Sequence, residues 1–231
     1  MLYIIGIGLN KKGISLEGLE ACKDSETYLE SYTVDFPYYI KDIEKFIGKE
    51  VKKLEREDVE SDKLINLAKK KNIALLVYGA PLSATTHNVL IEDCEKNSVK
   101  CKVIYSGSIF DAVAETGLSL YKFGKVASMP KFTENYKPTS FVDLVKENQS
   151  IKAHSLILVD IGLDFPSALK QLKESLEFER IVVCSKMGTE EQKIFYGSLN
   201  SLEEKDFEKP FCFIIPSELN FKEKDFLQKF K

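Results

Sequence analysis

Two runs of this chain, "LYIIGIG" at 2–8 and "IALLVYG" at 73–79, are apolar at nearly every position and end on glycine. A strand with one wet face alternates polar and apolar residues, so unbroken runs of this kind belong to strands buried on both faces. The residues between them supply the covering helices. "SLEGLEACK" (15–23) spaces Leu16, Leu19 and Cys22 helically behind Ser15 as N-cap. "YIKDIEKFIG" (39–48) is a short amphipathic helix stopped by Gly48, and a helix around 60–71 presents Leu64, Leu67 and Ala68. "KKK" at 69–71 reads as the solvated last turn of that helix. "TYLESYT" (27–33), "EVKKL" (50–54) and "KCKVIYSG" (100–107) are β-prone, and a further helix is expected over about 84–96. Strands alternating with helices predict a mainly parallel sheet covered on both faces. Ligands of such sheets collect beyond the carboxyl ends of the strands, where residues 78–87 and 105–110 would face one crevice.

The second half reads differently. "SLILVDIG" (155–162) is a strand, and a helix over about 166–177 carries Leu169, Leu172 and Leu176. "RIVVCS" (180–185), "KIFYGSL" (193–199) and "FCFIIP" (211–216) then follow closely, which suggests a mixed or antiparallel sheet. The 231 residues suffice for two α/β lobes, divided as 1–110 and 111–231 without a linker-like segment, internal repeat or low-complexity stretch.

Charge and cysteine usage narrow the function classes. With 33 basic against 36 acidic residues the net charge is −3, which argues against broad nucleic-acid binding. Cys22, Cys94, Cys101, Cys184 and Cys212 are scattered, odd in number and without a C-x-x-C pair, as expected of free thiols in a reducing cytosol. The "NQS" at 148–150 fits a glycosylation sequon, which has little meaning for an intracellular chain. The start, "MLYIIGIGLN", reads as a buried strand and not as a signal peptide, and no apolar run approaches the ~18 residues of a membrane span.

Motifs of familiar chemistry are sparse. "GIG" after the first strand lacks a third glycine and is followed by "NKKGIS", so a tight turn explains it better than a dinucleotide site. Neither a P-loop nor G-x-S-x-G occurs. With only His87 and His154, a multi-histidine metal site is excluded, and no metal is expected. Ser83 and His87 lie four apart, but no acid stands near them in sequence to orient the imidazole, which speaks against a hydrolytic triad. The crossing "YGAPLSATTH" (78–87) keeps two readings. Thr85 and Thr86 could cap a helix whose entry Pro81 shapes, or small hydroxyls and backbone groups could hold a ligand.

The wording of the motifs adds a resemblance. "LYIIGIGL" with "GISLEGLE", "IGKE" (47–50), "LEREDVE" (54–60) and "PLSATTH" (81–87) are similar to the diphthine synthases, within the tetrapyrrole methylase superfamily. "SIFDAV" (108–113), "GLSLYKFGK" (117–125), "PTSFVDLVKEN" (138–148) and "LVDI" (158–161) continue the match in order. The resemblance implies a two-lobed tetrapyrrole-methylase-like α/β fold, with a mainly parallel sheet in the N-terminal lobe and a mixed sheet in the C-terminal one. It further implies a homodimer with S-adenosyl-L-methionine in the cleft between the lobes, acting on translation elongation factor 2. There the amine of a modified histidine is methylated to diphthine, in diphthamide biosynthesis. Family ligand contacts carry over to Leu9, Ala80, Ser83, Ser108, Ile109 and Val159, and to Met187 and Phe211.

Such chemistry needs no covalent protein nucleophile, and no residue is assigned as general base; for His87 a capping or packing role is expected. The chain departs from the family pattern in three places. Gly79-Ala80-Pro81 stands where the family has Gly-Asp-Pro, "SKMG" (185–188) where it has an "ARAG"-like stretch, and the segment between Asp160 and "RIVVCS" is short. Two alternatives follow: a tetrapyrrole methyltransferase, against which "YKFGK" and "PTSF" speak, and a degenerate homologue that binds without turnover, for which Ala80 and "SKMG" speak.

Overall fold

The structure, a computed structural model, describes residues 1–231 and divides into two compact units, Met1–Asp111 and Ala112–Lys231. The first unit holds a five-stranded sheet built from β1 (Leu2–Gly6), β2 (Glu26–Glu30), β3 (Lys52–Leu54), β4 (Ile73–Val77) and β5 (Cys101–Ile104). Its order is β3-β2-β4-β1-β5 and every pairing is parallel. All five residues of β4 are buried, as its unbroken apolar run requires.

The helices are α1 (Leu16–Lys23), α2 (Ile40–Ile47), α3 (Arg56–Val59), α4 (Lys63–Ala68), α5 (Asn88–Lys96) and α6 (Ile109–Ala112), across which the two units divide. Ser15 caps α1 by accepting the Gly18 N–H at 3.0 Å, and Gly48 ends α2 in the left-handed region at φ +79°. Connections from β1 through β2 to β3 run toward one edge of the sheet, and those through β4 to β5 run back. The helices therefore divide between two faces. α1 and α2 pack on Ile5, Ile7 and Leu76, while α3, α4 and α5 pack on Ile4, Leu75 and Val77. The chain leaving β1 and the chain leaving the neighbouring β4 thus part to opposite faces, the kind of place at which ligands of such sheets collect.

Two expected helices differ. The one placed at 60–71 is shorter, α4 alone (Lys63–Ala68), and is kept apart from the preceding turn α3 where the Ser61 hydroxyl donates to Asp58 O and accepts the Lys63 N–H, competing with the helical ladder. The helix expected from 84 begins at Asn88, since Ala84 is left-handed (φ +56°) and residues 80–87 form a bonded loop. Thr85 and Thr86 do not cap it. The N-cap position belongs to His87, whose side chain makes no capping bond.

The second unit contains β6 (Ala127–Met129), α7 (Ser140–Ser150), β7 (Ser155–Val159), α8 (Phe165–Ser175), β8 (Ile181–Ser185), β9 (Lys193–Gly197), β10 (Phe211–Ile215) and α9 (Phe221–Leu227). Its sheet, ordered β6-β7-β10-β8-β9, is mixed: β6 and β7 are parallel and the remaining pairs antiparallel. Phe141 and Phe213 are fully buried and Phe165 nearly so, in one core formed with α7 and α8. β6, α7 and α9 were not expected from the sequence. No helix is long and apolar enough to cross a membrane.

Candidate functional site

Three strand exits meet at the carboxyl edge of the first sheet. Gly8 and Gly79 exchange backbone hydrogen bonds of 3.2 and 3.0 Å, which carries the β1–β4 contact past the last strand residues. A Cβ on Gly6 would lie 2.6 Å from Gly79 O and 2.8 Å from Pro81 Cδ, so the crossing after β4 runs directly over the end of β1. Gly79 itself needs glycine because its φ is +69°. The β5 exit closes the group: the Ser106 hydroxyl donates to Gly13 O at 2.9 Å, and a Cβ on Gly79 would touch Ser108 at 3.7 Å.

The candidate residues of this unit are thus gathered on adjoining crossings. Leu9 follows β1, and its carbonyl accepts the Tyr78 hydroxyl at 3.1 Å. Ala80 O accepts the Ser83 N–H at 3.2 Å, closing a tight turn. Ser108, 6% exposed, donates from both its N–H (2.8 Å) and its hydroxyl (3.2 Å) to one Asp111 oxygen, while its hydroxyl accepts the Phe110 N–H. The Ser108 side chain is therefore used within its own turn, and Ile109 is held beside it.

Behind the β4 crossing lies a polar layer that the sequence did not announce. Pro81 O accepts from Thr85 Oγ1 and from His87 Nδ1, both at 3.3 Å. His87 Nε2 stands 3.3 Å from the Tyr32 hydroxyl, with the two rings edge-on at 74°. A carbonyl can only accept, so Nδ1 carries the proton and Nε2 accepts from Tyr32. Burial pulls the His87 pKa down, against the opposing pull of Glu30, the Pro81 carbonyl and Glu60, and the ring is neutral. Glu30, fully buried, accepts the Tyr32 N–H and the Thr33 hydroxyl, and the Arg56 guanidinium lies 5.3 Å from the Tyr32 ring centre. Phe36, Tyr38 and Tyr78 form an aromatic cluster with ring centres 5.4–6.3 Å apart, and burial raises both tyrosine pKa values. Ser83 is not a partner of the His87 ring, so no Ser–His pair forms.

In the second unit Val159 ends β7, Met187 follows β8 by two residues and Phe211 opens β10. Phe211 lies opposite Ser185, and Cys212 opposite Leu158, so all three residues stand at one end of that sheet. Met187 and Phe211 are buried, and the Phe211 ring meets Phe165 edge-on at 5.5 Å. "YKFGK" proves to be a joint. Lys122 donates to Glu223 at 2.8 Å, Phe123 bridges to His154, and a Cβ on Gly124 would strike Asn148 at 2.1 Å. No group of three or more histidine, cysteine, aspartate or glutamate side chains converges to hold a metal ion.

A doubly wound parallel sheet offering backbone-lined strand exits, followed by a mixed sheet, is an arrangement shared with known proteins. The profile of the tetrapyrrole (corrin/porphyrin) methylases matches residues 1–203, and the chain belongs to that family of methyltransferases. Full-length relatives narrow the likeness. A probable diphthine methyl ester synthase of Arabidopsis thaliana is 34% identical over 100% of this chain and 98% of its own length. A diphthine synthase of Methanocaldococcus jannaschii is 37% identical over 99% and 98%. A crystal structure of diphthine synthase superposes with a TM-score of 0.91 at 34% identity, covering 99% of this chain and 95% of that one.

Proposed function

We propose that this methyltransferase takes its methyl group from S-adenosyl-L-methionine and methylates the amine of the modified histidine of translation elongation factor 2. The product is diphthine, in diphthamide biosynthesis. The observation that carries this reading is the match of essentially the whole chain to diphthine synthase relatives at 34–37% identity. The cysteines are free thiols, which suits work in the cytoplasm.

The residues of the site fit such a cofactor. Gly8 and Gly79 keep side chains out of the crossing, and strand exits present backbone donors and acceptors beside half-buried aromatic rings. Leu9, Ala80, Ser83, Ser108 and Ile109, at the strand exits of the first unit, would hold it. Bound there, S-adenosylmethionine supplies a methyl group activated by its sulfonium. The protein's own part is to hold groups still: Asp111 fixes the Ser108 turn, and Tyr78 fixes the Leu9 carbonyl. The attacking amine must be neutral and in line, so alignment is the main contribution asked of the chain. His87 has both ring nitrogens engaged and is 2% exposed, so no proton-accepting role is assigned to it.

Calorimetric titration with S-adenosylmethionine tests the cofactor, with saturable binding expected and absence of heat at millimolar ligand against it. Relatives carry two names, diphthine synthase and diphthine methyl ester synthase. The mass of the modified elongation-factor peptide counts the methyl groups added.

A further inference from the structure

We propose that His87 is a positioning residue for the cofactor, setting the backbone of the Gly79–Thr86 crossing through the Pro81 carbonyl while Tyr32 holds its far side. The inference rests on the S-adenosylmethionine reading of the site. Its basis is the geometry of two loops that leave neighbouring strands, β2 and β4.

Pro81 lies between Ala80 and Ser83, the two proposed contacts of this crossing. Its carbonyl is pulled inward by Thr85 Oγ1 and His87 Nδ1 together, which fixes the plane of the Pro81–Leu82 peptide. Three residues on, Ala84 is left-handed at φ +56°, a conformation an alanine keeps only where its surroundings over-determine it. The crossing is thus a shape its own residues do not favour, and the bonds onto Pro81 are what hold it. α5 begins directly after His87, so the ring is anchored to a helix and not to the loop it restrains.

The far side of the ring is set from the β2 exit. The Tyr32 hydroxyl donates to Nε2 and so selects the tautomer that leaves the proton on Nδ1. Tyr32 is in turn fixed by Glu30, which takes its N–H, and by Arg56 over its ring. A ring placed only to fill space would need neither the Tyr32 hydroxyl nor a particular tautomer.

The test is a set of variants read by calorimetry with S-adenosylmethionine and by thermal unfolding. His87→Leu keeps most of the volume and removes both bonds. It is expected to weaken binding about three- to tenfold, with KM for the cofactor raised and kcat little changed. His87→Asn places an amide N–H near the Nδ1 position and should recover most of that affinity, whereas a role in packing alone would leave it no better than leucine. Tyr32→Phe, a milder change, should weaken binding in the same direction if His87→Leu does not fold. Wild-type affinity in folded His87→Leu or in Tyr32→Phe, or no recovery in His87→Asn, would overturn the proposal while leaving the cofactor reading intact. Absence of binding by the unmodified protein would overturn that reading and the positioning role with it.

Discussion

Ala80 is the residue at which this chain departs most from what its resemblance leads one to expect. If a carboxylate there accepts a hydrogen bond from the proposed cofactor, that charge-assisted contact is worth roughly 1.5–3 kcal/mol. Every 1.4 kcal/mol or so is about tenfold in affinity, so this chain should bind S-adenosylmethionine ~10- to 100-fold more weakly than a relative with the acid. Ala80→Asp is expected to tighten binding measured by calorimetry, provided the new carboxylate finds its donor and is not buried alone. Unchanged or weaker binding would mean that the crossing works around alanine. Asp111 is the second decisive residue, and its place within "SIFDAV" does not mark its role. It takes two hydrogen bonds from Ser108, so Asp111→Ala should loosen residues 106–110 and raise the cofactor Kd by about tenfold. An unaltered Kd would show that the Ser108 turn holds itself. Single residues of the candidate site could be named only where wording carried them. Tyr78 meets Leu9 across 69 positions, Ser106 meets Gly13 across 93, and Tyr32 meets His87 across 55. No local periodicity reports pairings of that length.

Among elements, those that announce themselves do so through local chemistry. Ser15 before α1 and the glycine after α2 are signals any helix needs, and both act as expected. α5 starts later than its residues suggest because Ala84, Thr85 and Thr86, ordinary helix or cap residues, are held in a loop by bonds onto Pro81. α7 gives a weaker signal: Phe141, Val142, Val145 and Asn148 share its buried side, but one of the four is polar. Asn148 belongs inside because it bonds Lys125 and Ser155, partners a pattern cannot show. α9 is anchored in a similar way. Its Glu223, 2% exposed, takes Lys122 Nζ at 2.8 Å and the Asn220 and Ser119 N–H groups, and faces His154 Nε2 at 3.2 Å. His154 Nδ1 accepts the Ser217 N–H, so Nε2 donates to the carboxylate. Burial alone would raise the Glu223 pKa, but Lys122, the two N–H groups and His154 outweigh it and bring it from 4.5 to about 2. With the folded value depressed, its contribution is complete above about 4.5 and is lost as pH falls toward 2. Burial also lowers the His154 pKa below 6.5, so protonation of the unfolded chain erodes stability below that value as well. Glu223→Gln should cost roughly 3 kcal/mol at neutral pH and flatten the acid limb below 4.5 in urea unfolding. An acid limb as steep as that of the unmodified protein would contradict this clamp.

For the whole molecule, the class of fold could be read from the chain, because continuous apolar runs alternating with helices admit few arrangements. The crowding of strands in the second half pointed to a mixed or antiparallel sheet, and the parallel β6–β7 pair that makes it mixed has no such signal. The activity was not, since methyl transfer of this kind asks for alignment and leaves no triad or metal signature. It came from wording alone. A homodimer is expected in solution. Tyr121, wholly exposed, and Phe221, 84% exposed, supply aromatic surface in the second unit that a partner would cover. Light scattering at micromolar concentration should give twice the chain mass, and a monomer would contradict the expectation. The measurement that bears most directly on the function is a methyl-transfer assay with labelled S-adenosylmethionine. The protein is offered elongation factor 2 carrying the unmethylated precursor, and in parallel uroporphyrinogen or a precorrin. Label is expected on the elongation factor and on no tetrapyrrole; label on a tetrapyrrole, or on neither substrate while cofactor binds, would contradict the proposed reaction.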